Sequence, residues 1–142
     1  MKRLRFARPV VAAALLCAAG PVLADDLHGL DRILCSAVTA TVCMVNGECE
    51  TDLPYNWNIP QFIEIDLVKK VLSTTRASGE NRQTPAASLV RQDGWIYLQG
   101  VEGGRAFSFV IDETTGFASV AVARQGLTVS VFGACTALPA AR

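Results

Sequence analysis

Apolar and polar residues alternate with a period of two through most of the second half of the chain. Phe107, Phe109 and Ile111 share one face of a run; Leu127, Val129 and Val131 share a face of another, opposite Thr128 and Ser130. That period belongs to strands with one buried face. Five strand-length runs, at 86–91, 95–101, 105–111, 117–124 and 127–135, are punctuated by Gln92-Asp93-Gly94, Glu102-Gly103-Gly104, Thr114-Thr115-Gly116 and Gln125-Gly126. Connections this short make sequential antiparallel hairpins, because a parallel crossover needs about a dozen residues.

The first half carries weaker signals. Leu27, Leu30 and Leu34 fall at helical spacing behind Asp26, a capping residue, and predict a short N-terminal helix within 25–34. From Ser36 the texture turns to β, and 38–45 is rich in Val and Thr before the hairpin signal Asn46-Gly47. In 62–67, Ile63, Ile65 and Leu67 oppose Glu64 and Asp66. Acids ahead of lysines allow a helix there, but the β-branched alternation decides for strand. Residues 76–85 read as a polar loop. The sum is an all-β fold, an antiparallel meander of about eight or nine strands. Curling removes exposed edges and gives a small up-and-down, lipocalin-like β-barrel, with an open curved sheet as the alternative.

Cysteines sharpen this picture once the first 24 residues are set aside as a secretory signal peptide. Lys2, Arg3, Arg5 and Arg8 form its basic region, 10–19 is an unbroken apolar run, and Gly20-Pro21 ends it. Ten residues are too few to span a bilayer, which takes roughly 20. Cleavage is expected after Ala24. Lipidation at Cys17 is disfavoured because Leu16 before it is not small. The expected mature domain, 25–142, then holds four cysteines, Cys35, Cys43, Cys49 and Cys135, an even number that reads as a disulfide framework in an exported chain. A two-residue Asn46-Gly47 loop puts Cys43 and Cys49 on opposite faces. A three-residue loop, Val45-Asn46-Gly47, pairs them directly, and only that geometry lets the sulfurs meet. Cys35 is left for Cys135, closing a loop of about 100 residues, worth roughly 4 to 5 kcal/mol in the chain-entropy model. No transmembrane segment is expected in the mature chain, which belongs in the periplasm or outside the cell.

Charge excludes one class of partner. The full chain has 13 basic and 13 acidic residues, and four of the basic ones lie in the signal, so the domain carries 9 against 13. A net charge of −4 gives no basic footprint for nucleic acid. Catalysis finds little material. His28, the single histidine, sits among Asp25, Asp26 and Asp31, where a solvated role outweighs a metal site. A serine or cysteine nucleophile has no second histidine to activate it, and disulfides consume the thiols. The stretch Gly100-Val101-Glu102-Gly103-Gly104-Arg105 resembles a phosphate loop but is followed by a strand, so a hairpin turn is the better reading. Glu64 and Asp66 share an outer strand face and read as solvating; Arg76 and Arg82 flank the polar loop and suit an anionic group, with solvation the blander role. The expectation is a protein with no cofactor, no metal and no enzymatic activity.

Four aromatics remain as ligand- or partner-binding candidates. Tyr55 and Trp57 lie between Pro54 and Pro60, and plug a barrel end or anchor a partner. Trp95 and Tyr97 lie on one strand face and Ile96 and Leu98 on the other, so that strand is expected to be covered on both sides.

The spacing Cys-x7-Cys-x5-Cys, with Ile59-Pro60-Gln61-Phe62-Ile63, Leu98-Gln99-Gly100, Arg105-Ala106-Phe107-Ser108 and Phe132-Gly133-Ala134-Cys135-Thr136, resembles small exported β-rich proteins of Gram-negative bacteria that have no assigned function. The meander is also similar in architecture to lipocalin-like barrels and periplasmic lysozyme inhibitors, without their signature motifs. The expected role is binding, of a small apolar ligand or of an envelope protein. The alternative is an interaction or inhibitor module with a filled barrel and no ligand cavity.

Overall fold

A computed structural model of the chain describes residues 25–75 and 81–138. The signal peptide expected at 1–24, and Arg76, lie outside the described residues. The described residues form ten strands: β1 Arg32–Met44, β2 Cys49–Asp52, β3 Phe62–Asp66, β4 Val71–Thr74, β5 Gln83–Pro85, β6 Ser88–Gln92, β7 Trp95–Glu102, β8 Arg105–Asp112, β9 Phe117–Arg124 and β10 Leu127–Ala137. All pairings are antiparallel, in the order β5-β4-β3-β1-β10-β9-β8-β7-β6, with β2 attached to β1.

The long β1 is the spine. One edge pairs with β10 along its length; the other is divided between β3 over Arg32–Ser36 and β2 over Ala40–Cys43. The division falls at a bulge between Ala37 and Thr39. There the Ala37 N–H donates to Gln61 O (3.0 Å) and the Gln61 amide donates to Ala37 O (2.9 Å), so the backbone stays satisfied where the strand bends. Gly133 lies opposite this bend. A Cβ there would sit 2.2 Å from Ser36 O, so only glycine admits the close approach.

Curling brings the two edges of the sheet together. β5 and β6 are consecutive in the chain, separated by Ala86-Ala87. The Ala86 N–H donates to Lys70 O and the Ala87 N–H to Gln99 O, both at 2.8 Å. One extended segment thus bonds to the β3–β4 side with its first half and to β7 with its second. The result is a curled half-barrel. Its core is made by inward positions at period two: Ile33, Ile65, Ile96, Leu98 and Ile111 are fully buried, each from a strand whose outward neighbours are more exposed.

Both predicted disulfides form. Cys43 pairs with Cys49 across a three-residue loop whose Gly47 has φ 87°, with Met44 N–H donating to Glu48 O (2.8 Å). Cys35 and Cys135 face each other on β1 and β10.

Two of these local expectations fail. No helix forms in 25–34: His28 and Gly29 make a turn, and from Arg32 the chain is strand. Leu27 is instead held by a backbone hydrogen bond, its N–H donating to Glu113 O at 2.7 Å. The strand expected at 62–67 does form, as β3, and turns back after Asp66, which accepts the Val68 and Lys69 N–H groups (3.2 and 2.7 Å) while Lys70 adopts φ 56°. The polar loop ends in a strand, β5, stabilised by the sheet edge rather than by its own pattern.

Candidate functional site

The two ends of the curled sheet differ. At one end the N-terminal segment is the stopper. Leu27 has no exposed surface, and Leu30 packs against the same core. The backbone carbonyls of this segment need donors, and β6 supplies them through Arg91. Its guanidinium donates to Leu30 O (2.9 Å), to Leu27 O (3.1 Å) and through Nε to the Glu113 carboxylate (2.7 Å). Glu113 is 5% exposed, so this ion pair neutralises a carboxylate that burial alone would disfavour. Asp26 and Asp112 are at the same end. Each carboxyl is held below the usual Asp range, Asp26 by the His28 N–H and imidazole, Asp112 by the Thr114 N–H and Thr115.

The other end opens into a cavity of about 470 Å³. Its walls are the inward positions of β9 and β10 (Ala118, Val120, Val122; Leu127, Val129, Val131, Gly133), with Phe107 and Phe109 of β8 opposite Val42 and Met44 of β1. Valines make much of the β9 and β10 wall (Val120, Val122, Val129, Val131), where isoleucines dominate the stoppered end. Phe107 is held aside by Gly100, its cross-strand partner on β7. A Cβ on Gly100 would fall 2.4 Å from the ring's Cζ, so the ring lies flat over the glycine. Phe109 meets it edge-on, with ring centroids 6.0 Å apart.

Polar groups cluster at the mouth because they occupy strand ends. Arg124 is the last residue of β9, Arg105 the first of β8, Glu102 the last of β7, and Arg82 immediately precedes β5. All four line the cavity, with Thr84. Glu102 accepts the Thr84 hydroxyl at 2.6 Å and faces Arg82 at 3.7 Å and Arg105 at 3.9 Å.

Of the four aromatic candidates, the structure brings only Trp57 to the cavity. The 3₁₀ turn Pro54–Trp57 follows β2 and turns Trp57 inward, half-buried, against Asn58, Ile59 and Pro60. Its indole Nε1 is buried and has no acceptor among the described residues. Tyr55, two residues earlier, points to solvent. Trp95 and Tyr97 lie on the outer face of β7, 39% and 40% exposed. The expected second cover on that strand is therefore absent among the described residues, and the two rings are shielded only partly by Val90 and Val110 beside Tyr97.

The remaining sequence candidates have local roles. Gly103 and Gly104 form the tight turn between β7 and β8, both with positive φ. Glu64 pairs with Arg32 at 3.2 Å, and Asp66 caps its turn. The His28 Nδ1 meets Asp26 at 2.5 Å. No group of three or more His, Cys, Asp or Glu residues suited to a metal ion occurs among the described residues. Sequence reasoning named Arg82 for an anion but overlooked Glu102, Arg105 and Arg124 as a set. The signal was available: arginines beside Gly103-Gly104 and Gln125-Gly126 turns must lie at strand ends, and neighbouring hairpins put those ends side by side.

Comparison of the chain with family models, curated proteins and solved structures finds no match. The two disulfides fit an oxidising compartment, and no helix among the described residues is long and apolar enough to cross a membrane.

Proposed function

We propose that this chain is a non-enzymatic, exported binding protein that takes a small, mainly apolar ligand into the open end of its sheet. In this reading the first 24 residues are cleaved as a signal peptide and the domain works in the periplasm or outside the cell. The sheet acts as a lipocalin-like barrel, its two edges joined through Ala86-Ala87. The observation that carries it is the cavity itself, whose 470 Å³ falls within the roughly 300–1,000 Å³ of small-molecule sites, apolar over most of its wall with a few convergent polar groups. The unpartnered Trp57 Nε1 supports it, since a buried donor costs about 1–3 kcal/mol until an acceptor reaches it.

Mass spectrometry of the protein purified from its own envelope tests this. The denatured mass should correspond to a start at Asp25 with two disulfides, and the native mass should include a small molecule that is lost on denaturation. A bare native mass, together with no fluorescence response from the apolar probe N-phenyl-1-naphthylamine, would sink the ligand reading.

A second reading, a protein-interaction or inhibitor module, is favoured by the outer face of β6–β10. Along the cross-strand row Val90, Tyr97, Val110, Ser119 and Phe132 there is no charge, and Trp95, Val101 and Phe117 add exposed apolar surface nearby. The cavity weighs against the filled interior that this reading expects.

A further inference from the structure

The mouth of the cavity has more positive than negative charge. Three arginines, Arg82, Arg105 and Arg124, line it with one carboxylate, Glu102. Glu102 is shared between Arg82 and Arg105, and Arg124 has no ion-pair partner among the described residues. Two other acids, Glu48 and Glu50, line an adjoining pocket of about 360 Å³ that meets the cavity at Val42, Met44 and Trp57. Arg82 aside, Arg105 and Arg124 stand against the single carboxylate of Glu102, so the lining keeps a positive charge beside an apolar wall.

Its shape is elongated. Every inward residue of β9 from Ala118 to Arg124 lines it, which is about 20 Å of strand at the usual rise per residue. On β10 the lining continues from Leu127 to Gly133. The apolar wall runs along these strands and ends at the cationic rim, where Leu127 pairs with Arg124.

We infer that the cavity takes a single-chain amphiphile with an anionic head, the tail lying along β9 and β10 and the head at the arginines. This deepens the ligand-binding reading above and rests on it. A tail held between Val120, Val131, Phe107 and Phe109 leaves water, which is favourable in proportion to the apolar area removed. A head at the rim keeps partial hydration, and the guanidinium fork matches a carboxylate or phosphate with two parallel hydrogen bonds. Neutral and cationic heads gain nothing from Arg105 and Arg124, and a cationic head is repelled.

The test uses the mature protein with Trp95→Phe, a change on the outer face that leaves Trp57 as the single tryptophan of the two in the chain. Decanoate, decanol and decyltrimethylammonium are titrated while Trp57 fluorescence is followed, with calorimetry as a second readout. Decanoate should bind at least about tenfold more tightly than decanol, a difference of about 1.4 kcal/mol, and the cation should bind weakest. Arg105→Gln with Arg124→Gln should bring decanoate down to the level of decanol and leave decanol unchanged. Should the double variant lose its circular dichroism spectrum, Arg124→Gln alone, at an exposed strand end, makes the same comparison with a smaller drop. Equal binding of decanoate and decanol to the unsubstituted cavity would overturn the anionic head while leaving an apolar-ligand protein. Failure of all three to bind would overturn both readings.

Discussion

The stoppered and open ends of the sheet are built from the same strands, yet one is sealed and the other is not. Ile33, Cys35, Ile96, Ile111 and Cys135 share one buried cluster with Leu27, and Arg91 satisfies the carbonyls of the incoming segment at the stoppered end. Along the same strands toward the mouth, Val42, Phe107, Val122 and Leu127 diverge around a cavity. The difference teaches that closing a curled sheet takes both bulk and a donor for each buried carbonyl. Where bulk falls to valine, alanine and glycine, and arginine heads stay at the rim, the end remains open.

The largest test of this contrast is covalent. Replacing Cys35 and Cys135 by alanine, in the stoppered half, should lower stability in urea unfolding by about 4–5 kcal/mol. The same double change at Cys43 and Cys49, on the hairpin beside the mouth, should lower it by about 2 kcal/mol, because the loop it closes is far shorter. Equal losses would show that the two halves are not distinguished by what the bonds close.

Next come the stopper residues. Leu27→Ala removes a fully buried side chain and should cost about 3 kcal/mol. Arg91→Ala should cost about as much, since it strands the buried Glu113 carboxylate and two carbonyls. Denaturant midpoints for both variants check this.

Changes at the mouth should be much milder. Arg124→Gln and Trp57→Phe are each expected to stay within about 0.5 kcal/mol of the parent. Trp57→Phe keeps an aromatic ring, though a smaller one, while deleting a buried N–H that has no acceptor among the described residues. A loss comparable to that of Leu27→Ala would mean that the mouth is structural.

The smallest effect is in pH. Asp26 and Asp112, both at the stoppered end, titrate below the ordinary value of 3.8 because they accept the His28 and Thr114 N–H groups. A carboxyl whose folded pKa is depressed stabilises the fold above its unfolded pKa, and this contribution is lost as pH falls through the lowered folded value. Acidifying below about pH 4 should therefore loosen the stoppered end first. The His28 and Thr114 amide resonances should shift in that window.

How much of this was readable in advance depends on whether the signal was local. Asn46-Gly47 between two cysteines fixed a three-residue hairpin, and elimination then joined Cys35 to Cys135. The glycine-punctuated runs from 86 onward became β6 to β10 with ends moved by no more than two residues. Asp25–Leu34 misled because Leu27, Leu30 and Leu34 have helical spacing, whereas Leu27 enters the core from a turn and Leu34 belongs to β1. β5 was hidden because Gln83, Thr84 and Pro85 have no strand pattern of their own. Phe107, Phe109 and Ile111 were rightly placed inside. Their bulk suggested a filled interior, but Gly100 draws the Phe107 ring flat against β7 and leaves the space open.

By itself the sequence determined the local items: an all-β meander, its hairpins, the disulfide framework, and the inner faces of the strands with clear alternation at 62–67, 105–111 and 127–135. These follow from period-two patterning, turn residues and loop geometry, which act over a few residues. Only the tertiary structure decided which end of the sheet is sealed and which arginines meet at the other. It also decided that Trp57, rather than Tyr55, Trp95 or Tyr97, faces the cavity. Those outcomes depend on curvature and on contacts between residues as distant as Leu27 and Arg91, and no local pattern encodes the distance between them.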